Sequence, residues 1–268
     1  DFLNGLHDAA NSIATIVSTR VLRPQYAVAW AAFFNFIAFA VFGLHVAQTI
    51  GTGIIHPEII DAQVIFAALI GAIVWNLGTW RFGIPSSSSH ALVGGLIGAV
   101  TVSVGSEHVV WGFGELANGH LTGIVKVLAA LLLSPLIGFW FGFLIHRLLT
   151  ALLMAANPAA NARLRGMQYV TAAGLAFSHG ANDAQKSMGI LTLVLLLGGF
   201  IPTFDVPLWV MVACATSITL GIMSGGWRIV RTLGFAIYRV RPIHALGSQL
   251  TSAIVILAAS AVGAPVST

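Results

Sequence analysis

The chain consists of long apolar runs separated by short polar connections. Many of these runs are near or above the ~20 residues that a helix needs to cross the hydrocarbon core, and they lie at roughly 1–19, 24–46, 62–80, 82–104, 121–146, 167–198, 207–226 and 243–262. None of them alternates apolar and polar positions as a barrel strand does. Because a helix satisfies its own backbone hydrogen bonds in lipid, the pattern predicts an all-α, multi-pass integral membrane protein.

Composition supports a membrane protein and excludes a soluble one. The chain is 57% hydrophobic and only 7% charged, whereas soluble domains carry about 25% charged residues. The net charge is +4 and the pI about 9.8, but no cluster of Lys and Arg is interleaved with aromatic residues as nucleic-acid binding requires. We therefore expect the protein to lie in the lipid bilayer and to bind no nucleic acid. Cys214 is the only cysteine, so no disulfide forms within the chain.

The basic residues predict the topology. All the arginines lie in connections or at segment ends, at Arg20, Arg23, Arg81, Arg147, Arg163, Arg165, Arg228, Arg231, Arg239 and Arg241. Residues 47–61, 105–120 and 199–206 contain no Lys or Arg but hold the acids Glu58, Asp61, Glu107, Glu115 and Asp205. The positive-inside rule makes the arginine-bearing connections cytoplasmic in a protein of the cytoplasmic membrane. Residues 228–241 fit either a basic amphipathic helix on the membrane surface or an ordinary basic loop.

Two pairs of motifs indicate an internal repeat. NGLHDAANS at 4–12 is followed by HGANDAQKS at 179–187, and the surrounding residues align without gaps at Gly5/Gly180 and Asp8/Asp183. GIPSSSSH at 83–90 is matched at a nearly equal offset by GAPVST at 263–268. These two stretches are called the first and the second tip. The predicted topology gives the two halves opposite orientations. The sequence thus predicts a first repeat at 1–150 and an inverted second repeat at 166–268, an arrangement found in many secondary transporters. The tip of the second repeat is expected to be truncated.

Asp8 and Asp183 are the acids that lie well inside apolar segments, apart from Asp1 at the start of the chain. A carboxylate at the bilayer centre costs at least ~2.5–3.5 kcal/mol, so a partner must offset its charge. A coupling cation held by Asp8, Asp183 and the amide oxygen of Asn4 fits this need. A structural alternative exists for Asp183, because Lys186 follows three residues later and can form a local pair.

Amides and imidazoles accompany the two aspartates. Asn11 and Asn182 have oxygens that suit a hard cation and NH2 groups that can donate to an anion. His7, His179 and Lys186 are candidate proton or charge partners, although simple helix packing is the favoured interpretation of each histidine. The histidines at segment ends, which are His45, His56, His108, His120 and His146, indicate no metal cluster. We expect no metal or other cofactor beyond transported ions.

The stretch GIPSSSSHALVGG predicts a broken helix. Pro85 should halt the preceding segment, and Ser86, Ser87, Ser88 and Ser89 are typical of a helix start. Free N–H groups, hydroxyls and the positive end of the helix dipole then form an anion site without any Lys or Arg. The alternative is a capping serine cluster between two ordinary spans. The matching GAPVST in the other half favours the anion site.

The segments NGLHDAANSIAT, WNLGTWRFGIPSSSSHALVG, SHGANDAQKSMGI and GAPVST resemble the paired signatures of the inorganic phosphate transporter (Pit/PiT) family, especially its bacterial low-affinity members. The resemblance covers nearly the whole chain. It implies a homodimeric helical transporter that imports inorganic phosphate by symport with H+ or Na+. It also implies that Ser86 to Ser89, Ser267 and Thr268 face the phosphate together with Asn11 and Asn182, around the cation held by Asp8 and Asp183.

Two departures from the family pattern bear on the site. The family's chain runs further at both ends, so part of the second tip and its following helix are absent here. Asn11 is matched by Lys186 in the second motif, so the two halves are chemically unequal. A lysine in one half is able to replace a second sodium ion, which leaves H+ and Na+ both open as the coupling ion.

Other functions fit parts of the pattern. A sulfate or other oxyanion permease of the same fold would use the same helix start, and a passive anion channel would need no coupling ion. Two intramembrane aspartates also occur in intramembrane aspartyl proteases, whose dyad shares a proton. That chemistry does not need the paired Pro-Ser tips, so we expect a transporter and not an enzyme.

Overall fold

The computed structural model describes residues 1–41, 43–54, 61–116, 118–157 and 159–266. Within these ranges the chain is helical and contains no β-strand. The helices are α1 (Phe2–Ser18), α2 (Pro24–Ile37), α3 (His45–Thr52), α4 (Ala62–Phe82), α5 (Ser88–Ser103), α6 (Phe113–Leu116), α7 (Gly123–Leu152), α8 (Ala160–Leu197), α9 (Leu208–Met223), α10 (Trp227–Arg231) and α11 (Pro242–Ala261).

The described helices include membrane spans and broken spans. By length and composition α4, α7 and α11 are each able to cross a bilayer, and the number rises to 5 if each of two bent helix pairs forms one span. One of these pairs joins Leu208–Met223 to Trp227–Ala236 with a bend of 53°. The prediction of an all-α, multi-pass membrane protein with broken helices is therefore confirmed.

The predicted membrane segment at 24–46 is not one continuous helix, because the chain breaks before its end. α2 stops at Ile37, a 3-10 turn covers Ala38–Ala40, and α3 starts afresh at His45. The side chain of Gln185 on α8 stabilises the new start. Its Oε1 accepts hydrogen bonds from the backbone N–H groups of Val46 and Ala47, and its Nε2 donates to the carbonyl of Gly43. The amide thus supplies partners that a continuous helix would have supplied itself.

The predicted boundary between the segments 62–80 and 82–104 also moves. α4 runs on to Phe82 and α5 begins only at Ser88. Gly83 ends α4 with a left-handed φ of 68°, and the N–H of Ile84 bonds back to the carbonyl of Thr79. This is the usual glycine C-terminal cap. The predicted break exists, but Gly83 causes it two residues ahead of Pro85.

The basic stretch 228–241 is only partly helical. α10 ends at Arg231 and passes into a π-helical turn at Thr232–Ala236. Arg239 and Arg241 lie beyond this turn, just before α11. Helical structure is thus confined to the first part of the stretch, and its location on a membrane surface stays a prediction.

The two motif helices, α1 and α8, lie in the interior and pack on each other's following helix. α1 packs mainly on α9, while α8 packs on α2, α3 and α11. The glycines matched between the motifs sit at two of these contacts. A Cβ on Gly5 would lie 2.1 Å from the carbonyl oxygen of Ile218 on α9, and a Cβ on Gly180 would lie 2.3 Å from that of Asn35 on α2. Each motif helix thus packs on the helix that follows the other motif, as two related halves would. This packing supports the inverted repeat, which stays a prediction.

We expect Gly5→Ala and Gly180→Ala each to destabilise the protein. At 2.1 and 2.3 Å from a backbone oxygen the new methyl group forces the helices apart, and overpacking of this kind costs about 1–3 kcal/mol. The measurement is thermal unfolding of the purified protein in detergent. Gly71→Ala and Gly78→Ala are the matched controls, because a Cβ at either position meets nothing within 4 Å. Equal melting temperatures for all four variants would contradict the close helix contacts.

Candidate functional site

The structure brings the two motif aspartates together around one imidazole. Asp8 lies on α1, and Asp183 lies on α8 one turn after His179. His179 Nε2 is 2.8 Å from Asp183 Oδ2 and 3.7 Å from Asp8 Oδ2. One ligand atom from each of the three residues lies within 4.8 Å of the others. All three side chains are buried. The pairing of the aspartates that the sequence motifs predict thus appears as one buried, acidic cluster.

Asp8 is held by side chains from its own helix and from the start of α5. Asn11 Nδ2 donates to Asp8 Oδ1 at 3.1 Å, one turn further along α1. Ser88 Oγ donates to Asp8 Oδ2 at 3.1 Å and lies 2.5 Å from Asn4 Oδ1. Asn4, Asp8 and Asn11 therefore lie on one face of α1, and the serine-rich helix start docks against them.

Asp183 is held by a buried lysine. The ammonium of Lys186 contacts Asp183 Oδ1, as the spacing of three residues predicts. It also donates to Ser89 Oγ at 2.5 Å and to the carbonyl of Val266 at 2.8 Å. Lys186 is only 3% exposed. The local pair expected from the sequence exists, but the same ammonium also joins the two tip segments.

Asn182 faces the second tip with its amide nitrogen. Its Nδ2 donates to Ser260 Oγ at 2.9 Å and to the carbonyl of Ala264 at 3.2 Å. Its Oδ1 is buried and has no hydrogen-bond partner among the described residues. Because the donors are in use, the free group of Asn182 is an oxygen, which suits a cation better than the phosphate predicted from the sequence.

The two motif histidines have different roles. His7 Nε2 lies 2.6 Å from the carbonyl of Asn76 and 3.4 Å from Thr79 Oγ1, so His7 packs α1 against α4, as favoured from the sequence. For His179 the packing interpretation is wrong, since the ring contacts both aspartates. Asn35 Nδ2 lies 3.0 Å from His179 Nδ1. Nε2 therefore faces the two carboxylates with its proton, and Nδ1 faces the amide of Asn35.

The serines at the start of α5 are divided between two cavities. Ser86 and Ser87 line a cavity of about 180 Å³ together with His7, Asp8 and Asn11. Ser88 and Ser89 line another of about 300 Å³ together with Asn4 and Lys186. The predicted site residues thus lie on both sides of the start of α5.

The hydroxyls at this helix start already have protein partners. Ser87 is the N-cap, and its Oγ accepts the N–H of His90 at 3.2 Å. Ser86 Oγ donates to Thr79 Oγ1 at 3.0 Å. Accepting from His90 leaves the hydroxyl hydrogen of Ser87 free to donate, next to the first-turn N–H groups that no helix carbonyl reaches. Ser87 is therefore the serine best placed for an anion in the smaller cavity.

The second tip is hydrogen-bonded to α8 and α3, and the first tip is hydrogen-bonded to α1. The carbonyls of Ala264 and Val266 accept from Asn182 and Lys186, and the carbonyl of Gly263 accepts from Thr49 Oγ1 at 2.8 Å. Ser267 and Thr268, which the sequence places at the phosphate, lie outside the described residues.

Sequence reasoning missed the polar side chains that position the site from other helices. Asn35 holds the ring of His179, Gln185 holds the start of α3, and Ser260 holds Asn182. All three are amides or hydroxyls inside apolar segments. Because such groups need hydrogen-bond partners inside a membrane, their presence in apolar segments predicts polar contacts between helices.

Together the fold and the site define a polytopic helical transporter, in which broken helices lie beside a buried cluster of paired aspartates. The chain belongs to the phosphate transporter family, whose family model matches residues 4–268. This family consists of transporters, so the prediction that the protein is not an enzyme is confirmed and the aspartyl-protease alternative is excluded. The protein is accordingly a multi-pass protein of the cytoplasmic membrane.

The chain is similar to several curated relatives. It is 52% identical to a probable low-affinity inorganic phosphate transporter of Rhizobium meliloti (strain 1021), over 100% of this chain and 78% of the relative. It is 42% identical to a protein of the same description from Bacillus subtilis (strain 168), with the same coverage of 100% and 78%. The low-affinity inorganic phosphate transporter PitB of Escherichia coli (strain K12) is 34% identical over 72% of this chain and 43% of its own length. The predicted resemblance to bacterial low-affinity members is confirmed.

A solved structure has the same fold. It is described as the sodium-dependent phosphate transporter and superposes with a TM-score of 0.87, covering 99% of this chain and 82% of its own. The sequence identity is 24%, so the likeness establishes the fold alone.

Proposed function

We propose that the protein imports inorganic phosphate by symport with a cation, Na+ or H+, that binds at Asp8, Asp183 and His179. The observation that carries this proposal is the convergence of two buried carboxylates beside the serine-rich start of α5. Two carboxylates would repel phosphate unless a cation lay between them and the anion. Binding of the cation therefore makes binding of the phosphate favourable, which is the coupling that a symporter requires.

The proposed cation set is drawn from both halves. Asp8 and Asp183 supply negative charge. Asn4 lies one helical turn before Asp8, Asn182 directly precedes Asp183, and each offers an amide oxygen. Oxygens of this kind are the ligands that a hard cation prefers. His179, with its protonated Nε2 toward both carboxylates, is the group that would hold a proton if H+ is the coupling ion.

The proposed phosphate set is centred on the start of α5. Ser87 contributes a hydroxyl and the first turn contributes N–H groups at the positive end of the helix dipole. Asn11 lines the same cavity as Ser86 and Ser87. Ser88 and Ser89 connect this helix start to the cation cluster, and Ser267 and Thr268 of the second tip complete the set.

The test is uptake of radiolabelled phosphate into proteoliposomes, with a Na+ gradient and an H+ gradient imposed in turn. We expect accumulation above equilibrium with one of the two gradients, and loss of accumulation when an ionophore dissipates it. A tenfold excess of sulfate should not compete, because sulfate has no proton to donate to a carboxylate at neutral pH. Equilibration that ignores both gradients would instead identify a passive pathway.

A further inference from the structure

The contacts of Lys186 are those of a bound cation. Its ammonium is buried and has three N–H donors, and three oxygens surround it: a carboxylate oxygen of Asp183, the hydroxyl of Ser89 and the carbonyl of Val266. Carboxylate, hydroxyl and backbone carbonyl are also the oxygens that hard metal cations take in proteins. A buried ammonium needs an acceptor for each of its three N–H groups, and the two acceptors beyond Asp183 come from the two tip segments.

The corresponding position in the first half is neutral. The gapless alignment of the motifs matches Asp8 with Asp183 and Asn11 with Lys186. Both residues contact the aspartate three positions before them, Asn11 Nδ2 at 3.1 Å from Asp8 Oδ1 and Lys186 Nζ at Asp183 Oδ1. The geometry is thus repeated while the charge is not. The first half has no cationic residue at the position where the second half has Lys186.

The charge of the described cluster follows from these contacts. Asp8 and Asp183 contribute two negative charges, and Lys186 contributes one positive charge. A neutral residue at position 186 would therefore leave the cluster with one more negative charge, whatever the charge of His179. One more mobile monovalent cation would be needed to balance that charge.

We propose that Lys186 is a tethered cation that permanently occupies the second-half cation position, so that each transport cycle carries one mobile cation fewer than a neutral residue at 186 would require. This inference rests on the proposed symport, because it concerns the number of coupled cations. Lys186 in this role sets stoichiometry: the ammonium remains in the protein, and only the cation bound near Asp8 crosses the membrane with phosphate.

The experiment measures coupling stoichiometry in proteoliposomes for the wild type and for Lys186→Asn, which installs the residue found at position 11. A fixed phosphate gradient is set, the membrane voltage is varied with K+ and valinomycin, and the voltage of zero net phosphate flux is determined at known Na+ and H+ gradients. We expect Lys186→Asn to couple one more cation per phosphate and to need a higher cation concentration for half-maximal uptake. Lys186→Arg should keep the wild-type stoichiometry because it keeps the charge.

Lys126→Asn is the matched control, since it removes the only other lysine of the chain, whose ammonium is 3.3 Å from Thr49 Oγ1 and outside the cluster. It should keep the wild-type stoichiometry. An unchanged stoichiometry in an active Lys186→Asn protein overturns the proposal.

If Lys186→Asn does not transport, equilibrium binding of radiolabelled phosphate to the purified protein replaces the flux measurement, as a function of Na+ and of pH. Phosphate binding that is restored at a higher cation concentration than the wild type needs supports the tethered cation. Binding that is absent at every cation concentration, or that has the wild-type dependence, overturns it. If phosphate binding by the wild type depends on neither Na+ nor pH, the result contradicts symport itself and is distinct from a failure of the tethered cation.

Discussion

Asp8→Asn and Asp183→Asn should each abolish phosphate accumulation. Asparagine keeps the size of the side chain but removes the charge that the coupled cation balances. Removing one partner of a buried ionic contact costs about 3–5 kcal/mol, so we expect a loss of at least about a hundredfold in the rate of uptake. The measurement is gradient-driven uptake into proteoliposomes, normalised to the amount of reconstituted protein. Uptake above half of the wild-type rate in either variant would place the cation site elsewhere.

The two variants should differ in stability, which separates a transport defect from a folding defect. Asp8 contacts neutral donors, Asn11 and Ser88, in addition to His179. Asp183 contacts the buried ammonium of Lys186, so Asp183→Asn leaves that charge without its carboxylate. We therefore expect Asp183→Asn to lower the melting temperature in detergent more than Asp8→Asn does. The double variant Asp183→Asn/Lys186→Met should recover stability but not uptake.

A series at Ser87 should show whether the start of α5 holds phosphate or only caps a helix. Ser87→Ala removes one hydrogen bond to a charged group, worth about 1.5–3 kcal/mol, so the phosphate KM should rise roughly ten- to a hundredfold. Ser87→Asp keeps an excellent N-cap but places a negative charge in the anion cavity. We expect it to abolish phosphate uptake although the helix stays capped. Initial rates over a range of phosphate concentrations provide the measurement.

Two further variants complete the series. Ser87→Asn keeps the cap without adding charge and should lie between Ser87→Ala and the wild type. Ser103→Ala is the control, because Ser103 is at the other end of α5 and its hydroxyl donates to the carbonyl of Ala99. If Ser87→Asp transports as well as Ser87→Asn does, Ser87 is only a helix cap and phosphate binds at another position.

The parts of the fold that sequence alone could predict are those that one physical rule decides. Apolar length in lipid forces helices, so the helical class and most helix positions follow from hydropathy. The cost of an intramembrane charge singles out Asp8 and Asp183, and these two residues do meet. The serine-rich stretch predicts a helix start, and α5 begins at Ser88 with Ser87 as its cap.

The parts that failed depend on contacts between helices that are distant in sequence. The break before α3 is stabilised by Gln185 from α8, which no local pattern near residue 41 reveals. His179 resembles any helix-packing histidine until α1 brings Asp8 beside it. The sequence places Asn182 at the phosphate but does not reveal that its Nδ2 donates to Ser260 Oγ and to the carbonyl of Ala264. Sequence therefore locates the charged residues, while their orientation depends on tertiary packing.

The glycine contacts of α1 and α8 have a mechanical consequence. At Gly5 and Gly180 two helices meet backbone to backbone, without an intervening layer of side chains to reorient. Sliding of α1 along α9, or of α8 along α2, would drive each helix into carbonyl groups, so these four helices form a stiff frame. α4 and α5 pack chiefly on each other, and Ser88 and Ser89 tie them to this frame through Asn4, Asp8 and Lys186. The start of α5 that carries the serines is thus fixed to the frame twice, by polar contacts at its first turn and by the buried apolar core that α5 shares with α8.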